Sequence, residues 1–211
     1  MQVTDELEAY MVALLPKRDR VLARLEKEAE AEGIPIVGPL EGAFLRLLVS
    51  LVGARQILEL GTATGYSGIW LLGGTVGGHL TTFETDPERA ARARVNFAEA
   101  QLQQAANVVE QDAIHGVEAL DARFDVCFID LINSFGSEDV TERAFQACLA
   151  KLRPGGLLLA DNALRQGEVP QPASQQARNA ARYNQLVATS ARLEGLVVAI
   201  RDGLSVARVK D

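Results

Sequence analysis

The sequence predicts an α/β fold, a mostly parallel sheet covered by helices on both faces and closed by an antiparallel strand. Three observations predict it. From Arg55 onward, short apolar runs alternate with helical patterns, as repeated βα units do. Those runs are near-continuous rather than alternating, which suits strands buried on both faces. The last two runs, LVVAI (196–200) and LSVARV (204–209), flank Asp202-Gly203, a hairpin signal.

Each element follows from local chemistry. Residues 4–32 read as helix, divided at Pro16. Val21, Leu22 and Leu25 form an apolar stripe, and Arg24, Glu26, Lys27, Glu28 and Glu30 a solvated face. Gly33 stops the helix, and the breaker cluster GIPIVGP follows. EGAFLRLLVSLVG (41–53) is apolar at helical spacing. QILEL (56–60) reads as a strand, Gly61 to Gly65 as a turn, and the next helix runs to about Leu72. HLTTFET (79–85) is a strand, and a helix capped by Asp86 follows, with Pro87 at its first position. NVVEQ (107–111) is a strand, His115 to Leu120 a short helix, FDVCFID (124–130) a strand and Ser137 to Leu152 a helix. Pro154-Gly155-Gly156 turns the chain into the strand LLLADN, and Gln175 to Leu193 is helical. The count is seven strands. Residues 1–53 read as a helical extension of one domain whose core is 54–211; these helices would cover a site or form a dimer interface.

Composition narrows the function. The 211 residues suffice for one domain, with 48% hydrophobic residues to fill a core. A net charge of −7 disfavours a nucleic-acid surface, because phosphate binding needs clustered Lys and Arg. No apolar run reaches the roughly 20 residues that span a membrane. MQVTDELEAY is acidic and lacks a signal-peptide core, so a cytoplasmic protein is expected. Cys127 and Cys148 read as buried small hydrophobes, and His79 and His115 as structural or surface residues without ligand spacing.

In parallel α/β sheets, ligands bind at the carboxyl ends of the strands. The first strand ends ELGTATGYSG (59–68), where Gly61 and Gly65 permit a tight turn before a helix N-terminus that favours anionic groups. Their spacing of four is not that of dinucleotide binders, which disfavours a nicotinamide dehydrogenase. The second strand ends in Glu84, which either binds ribose hydroxyls or is a solvated strand-end charge. The third ends Gln111-Asp112-Ala113, where a carboxylate suits an adenine amino group. The fourth ends at Asp130 and the fifth at Asp161-Asn162: either a hard-oxygen site for Mg²⁺ or Ca²⁺, or an Asx turn.

These segments together resemble one known family. ILELGTATGYSGIWLL, the acid of FETDPE, QDA, FDVCFID, RPGGLLLADNAL and DGLSVARV are similar to the class I S-adenosylmethionine-dependent O-methyltransferases. The narrower resemblance is to the cation-dependent group with catechol and caffeoyl-coenzyme A O-methyltransferases. It implies a Rossmann-like methyltransferase fold and a homodimer. It also implies that Glu59, Gly61, Thr62 and Ser67 hold the methionine end of the cofactor, with Val37 packed against it. Glu84 would bind the ribose, Asp112 and Ala113 the adenine side, and Asp130 would touch both cofactor and metal. Asp130, Asp161 and Asn162 would hold a divalent cation, Mg²⁺ first, with Ca²⁺ or Mn²⁺ as alternatives. That cation would chelate and activate two adjacent hydroxyls of a small phenolic acceptor.

Two departures accompany the resemblance. Where the family carries a lysine base, this chain has Asn133, and an amide is not a useful base. Ile132 replaces an acid that some relatives direct at the cofactor. Metal activation alone, another base, or slow transfer would each follow. Arg165 stands about where relatives carry an aromatic; it is either a partner for an acceptor carboxylate or an exposed loop residue.

Overall fold

The computed structural model describes residues 4–211; the first three residues of the acidic N-terminal stretch lie outside the described residues. Three helices precede the sheet: α1 (Asp5–Ala13), α2 (Arg20–Glu32) and α3 (Gly38–Leu51). The core then alternates β1 (Gln56–Leu60), α4 (Tyr66–Gly73), β2 (His79–Glu84), α5 (Pro87–Glu99), β3 (Ala106–Glu110) and α6 (Ala113–Ala119). It continues with β4 (Phe124–Ile129), α7 (Glu138–Lys151), β5 (Leu152–Ala160), α8 (Gln175–Thr189), β6 (Leu193–Val198) and β7 (Leu204–Val209). No helix is long and apolar enough to cross a membrane among the described residues.

The seven strands form one sheet in the order β3-β2-β1-β4-β5-β7-β6. β1 to β5 are parallel, and β7 runs antiparallel between β5 and β6. The order reverses between β1 and β4, which leaves a crevice at their carboxyl ends.

Both faces are buried. Ile57, Val126, Phe128 and Leu159 point into one core with α2 to α5, and Leu58, Cys127, Ile129 and Leu158 into the other with α6 to α8. This explains the unbroken apolar runs. Cys127 and Cys148 are free, buried thiols. α2 docks through Val21, Leu22, Leu25 and Ala29, so the extension shares the core.

Boundaries differ from the sequence pattern where turn chemistry decides them. α3 starts three residues earlier than the apolar pattern, because Pro39 is pre-set for a first helical turn. The segment Arg153–Gly156 is not a turn before β5 but a bulge within it. Phe124 pairs with Leu152 and Val126 with Leu157, so the extra residues loop out, with Gly155 at φ 75°. β6 begins at Leu193, the expected end of α8, because Leu193 pairs with Val209 across the ladder. The hairpin turn spans Ile200–Gly203, and Gly203 N donates to Ile200 O at 2.8 Å.

Candidate active site

The chain leaves β1 through a turn that few residues permit. Gly61 has φ 101°, and a side chain there would meet the Asp130 carbonyl at 3.0 Å. Gly61 N and Thr62 N both donate to Phe83 O, at 3.2 and 3.1 Å. Glu84 braces the turn from β2. Its Oε2 accepts from Ala63 N at 2.9 Å, and its Oε1 from Thr85 N at 2.9 Å and Asp86 N at 3.0 Å. The carboxylate is thereby fixed in orientation and keeps capacity for a further donor.

Beneath the turn lies Glu59, fully buried. Ser67 Oγ donates to its Oε1 at 2.6 Å and Thr82 Oγ1 to its Oε2 at 2.7 Å; the Thr62 and Thr82 hydroxyls are 2.6 Å apart. Burial pushes the Glu59 carboxyl up to about 7, against the pull of those two hydroxyls. Glu59, Thr62 and Ser67 therefore form a polar floor under the glycine turn rather than the wall of a cavity. Val37 is buried between Ile36 and Gly38, which do reach the wall.

A cavity of about 720 Å³ opens above the turn, at the carboxyl ends of the strands. Gly61, Glu84, Asp130, Asn133, Asp161 and Asn162 all line it. A second cavity of about 280 Å³ adjoins it, sharing Gly61, Glu84 and Leu131, and adds Asp112 and Ala113. Asp112 also caps α6 by accepting from His115 N at 2.9 Å.

The acids converge because the ladder continues one residue past the strands. Asp130 N donates to Leu60 O at 2.9 Å, and Asp161 N to Ile129 O at 3.1 Å. Asn162 takes φ 61°, and its N donates to Asp161 Oδ1 at 2.5 Å. Its Nδ2 faces Asp202 Oδ2 at 3.5 Å, which directs the amide oxygen away from that acid.

Three further residues reach this end of the sheet to which the sequence motifs assign no role in the site. Glu41, on α3, is fully buried and neither carboxylate oxygen has a hydrogen-bond partner. Burial pushes its carboxyl up to about 10, with the charges of Asp161 and Asp130 adding and Arg201 opposing. Burial also pushes Asp161 up to about 6 and holds Asp130 well above the carboxylate range; Arg201 opposes both. Arg201 and Asp202 reach the cavity from the β6–β7 turn. Glu41 does leave a signal: it shares the spacing of Leu45 and Val49, which puts an acid on a buried stripe. Arg165, by contrast, is not on the wall of either cavity, and its Nε is enclosed without a partner.

Asn133 sits on the wall with its Oδ1 enclosed and unpartnered. No lysine or histidine lines either cavity among the described residues. Ile132 faces the second core instead of the cavity.

Comparison with known proteins agrees with this architecture. A family model described as O-methyltransferase matches residues 16–210. The chain belongs to the O-methyltransferase family. It is 33% identical over 226 residues to a catechol O-methyltransferase of Niastella koreensis, covering 99% of both chains. The O-methyltransferase of Bacillus cereus, solved in complex with SAH, is 30% identical with a TM-score of 0.84, covering 97% of each chain. The O-methyltransferase TomG of Streptomyces achromogenes, involved in tomaymycin synthesis and solved with SAM, is 28% identical with a TM-score of 0.85, covering 98% of this chain and 96% of that one. The resemblance to the S-adenosylmethionine-dependent class thus extends over the whole O-methyltransferase fold.

The oxygen donors suit a hard divalent cation. No three His, Cys, Asp or Glu side chains form a metal cage among the described residues; a cation here would draw on Asp130, Asp161 and the Asn162 amide oxygen. Asp130 and Asp161 repel each other in a buried place, and a cation between them would relieve that repulsion.

Proposed function

We propose that this O-methyltransferase transfers the methyl group of S-adenosylmethionine to one hydroxyl of a catechol-like acceptor, with a divalent cation at Asp130, Asp161 and Asn162. The carrying observation is that these three residues share one cavity with Gly61 and the oriented Glu84 carboxylate. Glu84 would hold the ribose hydroxyls, and Asp112 with Ala113 the adenine side in the adjoining cavity. Glu59, Thr62 and Ser67 keep the glycine turn in shape, with Val37 behind the methionine end.

The cation, when bound, would lower the hydroxyl pKa and fix the attacking oxygen. Alignment then carries much of the barrier, because the sulfonium is already reactive. The phenyl ring of the acceptor would lie towards Ile34, Pro35, Ile36 and Pro39, the apolar wall between α2 and α3. Purified protein should methylate catechol with labelled S-adenosylmethionine and Mg²⁺, and lose that turnover with a chelator. Undiminished turnover in chelator would remove the cation from the mechanism.

Asn133 supports a second reading, a member that binds cofactor but transfers slowly. Its amide occupies the base position, and no lysine or histidine lines the cavity among the described residues. Under this reading Asn133→Lys raises kcat. If that variant is no faster than a wild type that already turns over rapidly, the reading is abandoned.

A further inference from the structure

Arg201 belongs to no element of the sheet, yet it reaches the acid end of the main cavity. It sits at the tip of the β6–β7 turn with φ 48°, a backbone conformation that costs free energy for a non-glycine residue. Its guanidinium occupies the space over Gly38 where a side chain would otherwise be: a Cβ on Gly38 would lie 1.7 Å from Nη1. So the start of α3 leaves room for a cation delivered from the far end of the chain. Among the described residues Arg201 makes no ion pair, whereas Arg24, Arg92 and Arg143 all do. It lines the same wall as Asp130, Asp161 and Asn162.

Resting on the catechol reading above, we infer that Arg201 binds an anionic group of the acceptor, a carboxylate on its ring or on a short side chain. Arg201 lines the same cavity as Asp130, Asp161 and Asn162. With the two ring hydroxyls on those three residues, a carboxylate elsewhere on the acceptor would be the group for the guanidinium to take. Its donors form a rigid fork that matches a carboxylate with two parallel hydrogen bonds. The competing role is a counter-ion for Glu41, Asp130 and Asp161, which the same guanidinium faces. A counter-ion supports every acceptor equally; a carboxylate receptor discriminates between them. Arg165, the arginine that the sequence offers for this task, lies off the wall.

Calorimetry on the full chain, with S-adenosylhomocysteine and Mg²⁺ present, separates the two roles. Dihydroxybenzoate and its neutral isostere dihydroxybenzamide are titrated into wild type, Arg201→Gln and Arg201→Lys. The expected result is that wild type prefers the benzoate. Arg201→Gln should weaken the benzoate by about ten- to a hundredfold more than the benzamide, and Arg201→Lys should retain part of the preference. Thermal unfolding confirms that each variant folds. Equal weakening of both compounds, an unchanged ratio between them, or no benzoate binding to wild type overturns the inference. If the benzoate binds through Arg201 but wild type methylates neither compound, the catechol reading fails and the anion site stands.

Discussion

At the scale of single residues, the site rests on groups whose environment changes their chemistry. Glu59 is the sharpest case. Its carboxyl is ordinarily near 4.5 and is pushed up to about 7 by burial. A carboxyl raised in the folded state stabilises the fold below pH 4.5, and that contribution is lost as pH rises to 7. The loss amounts to about 3 kcal/mol. Glu59→Gln should escape it, so the stability difference between variant and wild type should grow in the variant's favour across that window. Urea unfolding over a pH series measures this, and parallel curves for the two proteins would sink the idea. Gly61 gives a second prediction. Its φ is 101°, and a Cβ there would stand 3.0 Å from the Asp130 carbonyl, so Gly61→Ala strains the turn. The strain is of order 1–3 kcal/mol, so S-adenosylhomocysteine should bind about ten- to a hundredfold more weakly. Calorimetry giving wild-type affinity would show that the turn tolerates a side chain. Residues at strand ends, Glu84, Asp130 and Asp161, are legible from sequence because a carboxylate closing an apolar run is conspicuous. Arg201 and Asp202 are not, since only the hairpin turn carries them to the cavity. Glu41 is legible only as an acid on the buried stripe of Leu45 and Val49, with nothing local to show that it faces the strand-end acids.

At the scale of elements, the loop after β4 is held by a helix far away in sequence. Asn179 on α8 is fully buried, and its Nδ2 donates to Ile132 O at 3.2 Å and Phe135 O at 2.7 Å. Two loop carbonyls around Asn133 thus depend on one amide. Asn179→Ala should cost about 1–3 kcal/mol, because those buried acceptors lose their donor. The urea midpoint should fall accordingly, and acceptor KM should rise, since Leu131, Asn133 and Ser134 line the cavity from that loop. A destabilised variant with unchanged KM would mean that the loop keeps its shape without the amide. The same scale shows where sequence reading stops. The apolar runs mark β1 to β5 correctly, but Pro154-Gly155-Gly156 carries turn chemistry and reads as a turn. It is a bulge instead, because β4 supplies pairing partners on both sides of it. Asp125 anchors that region, accepting from Arg55 N at 2.5 Å and Gln56 N at 2.9 Å and pairing with Arg153. No local pattern announces such a clasp between strands.

At the scale of the whole molecule, the fold gathers acidic side chains at one place. The chain carries a net charge of −7, and Glu41, Asp130, Asp161 and Asp202 meet at the carboxyl edge of the sheet, with Arg201 as the nearby cation. They come from α3, the ends of β4 and β5 and the β6–β7 turn, so folding itself disfavours their ionised forms; the unfolded chain keeps these acids apart. A cation that binds only this assembled site must therefore stabilise the fold. At a Mg²⁺ concentration one hundredfold above its dissociation constant the gain is about 2.7 kcal/mol. For a chain of this size that corresponds to a Tm rise of about 5–10 °C. Asp161→Asn removes one donor and part of the repulsion together. It should abolish the Mg²⁺-dependent rise without lowering Tm in metal-free buffer. Scanning calorimetry of wild type and Asp161→Asn, each with Mg²⁺ and with a chelator, reads both effects. A rise that persists in Asp161→Asn would move the cation to another part of the surface; a fall in metal-free Tm would mean that Asp161 supports the fold rather than straining it.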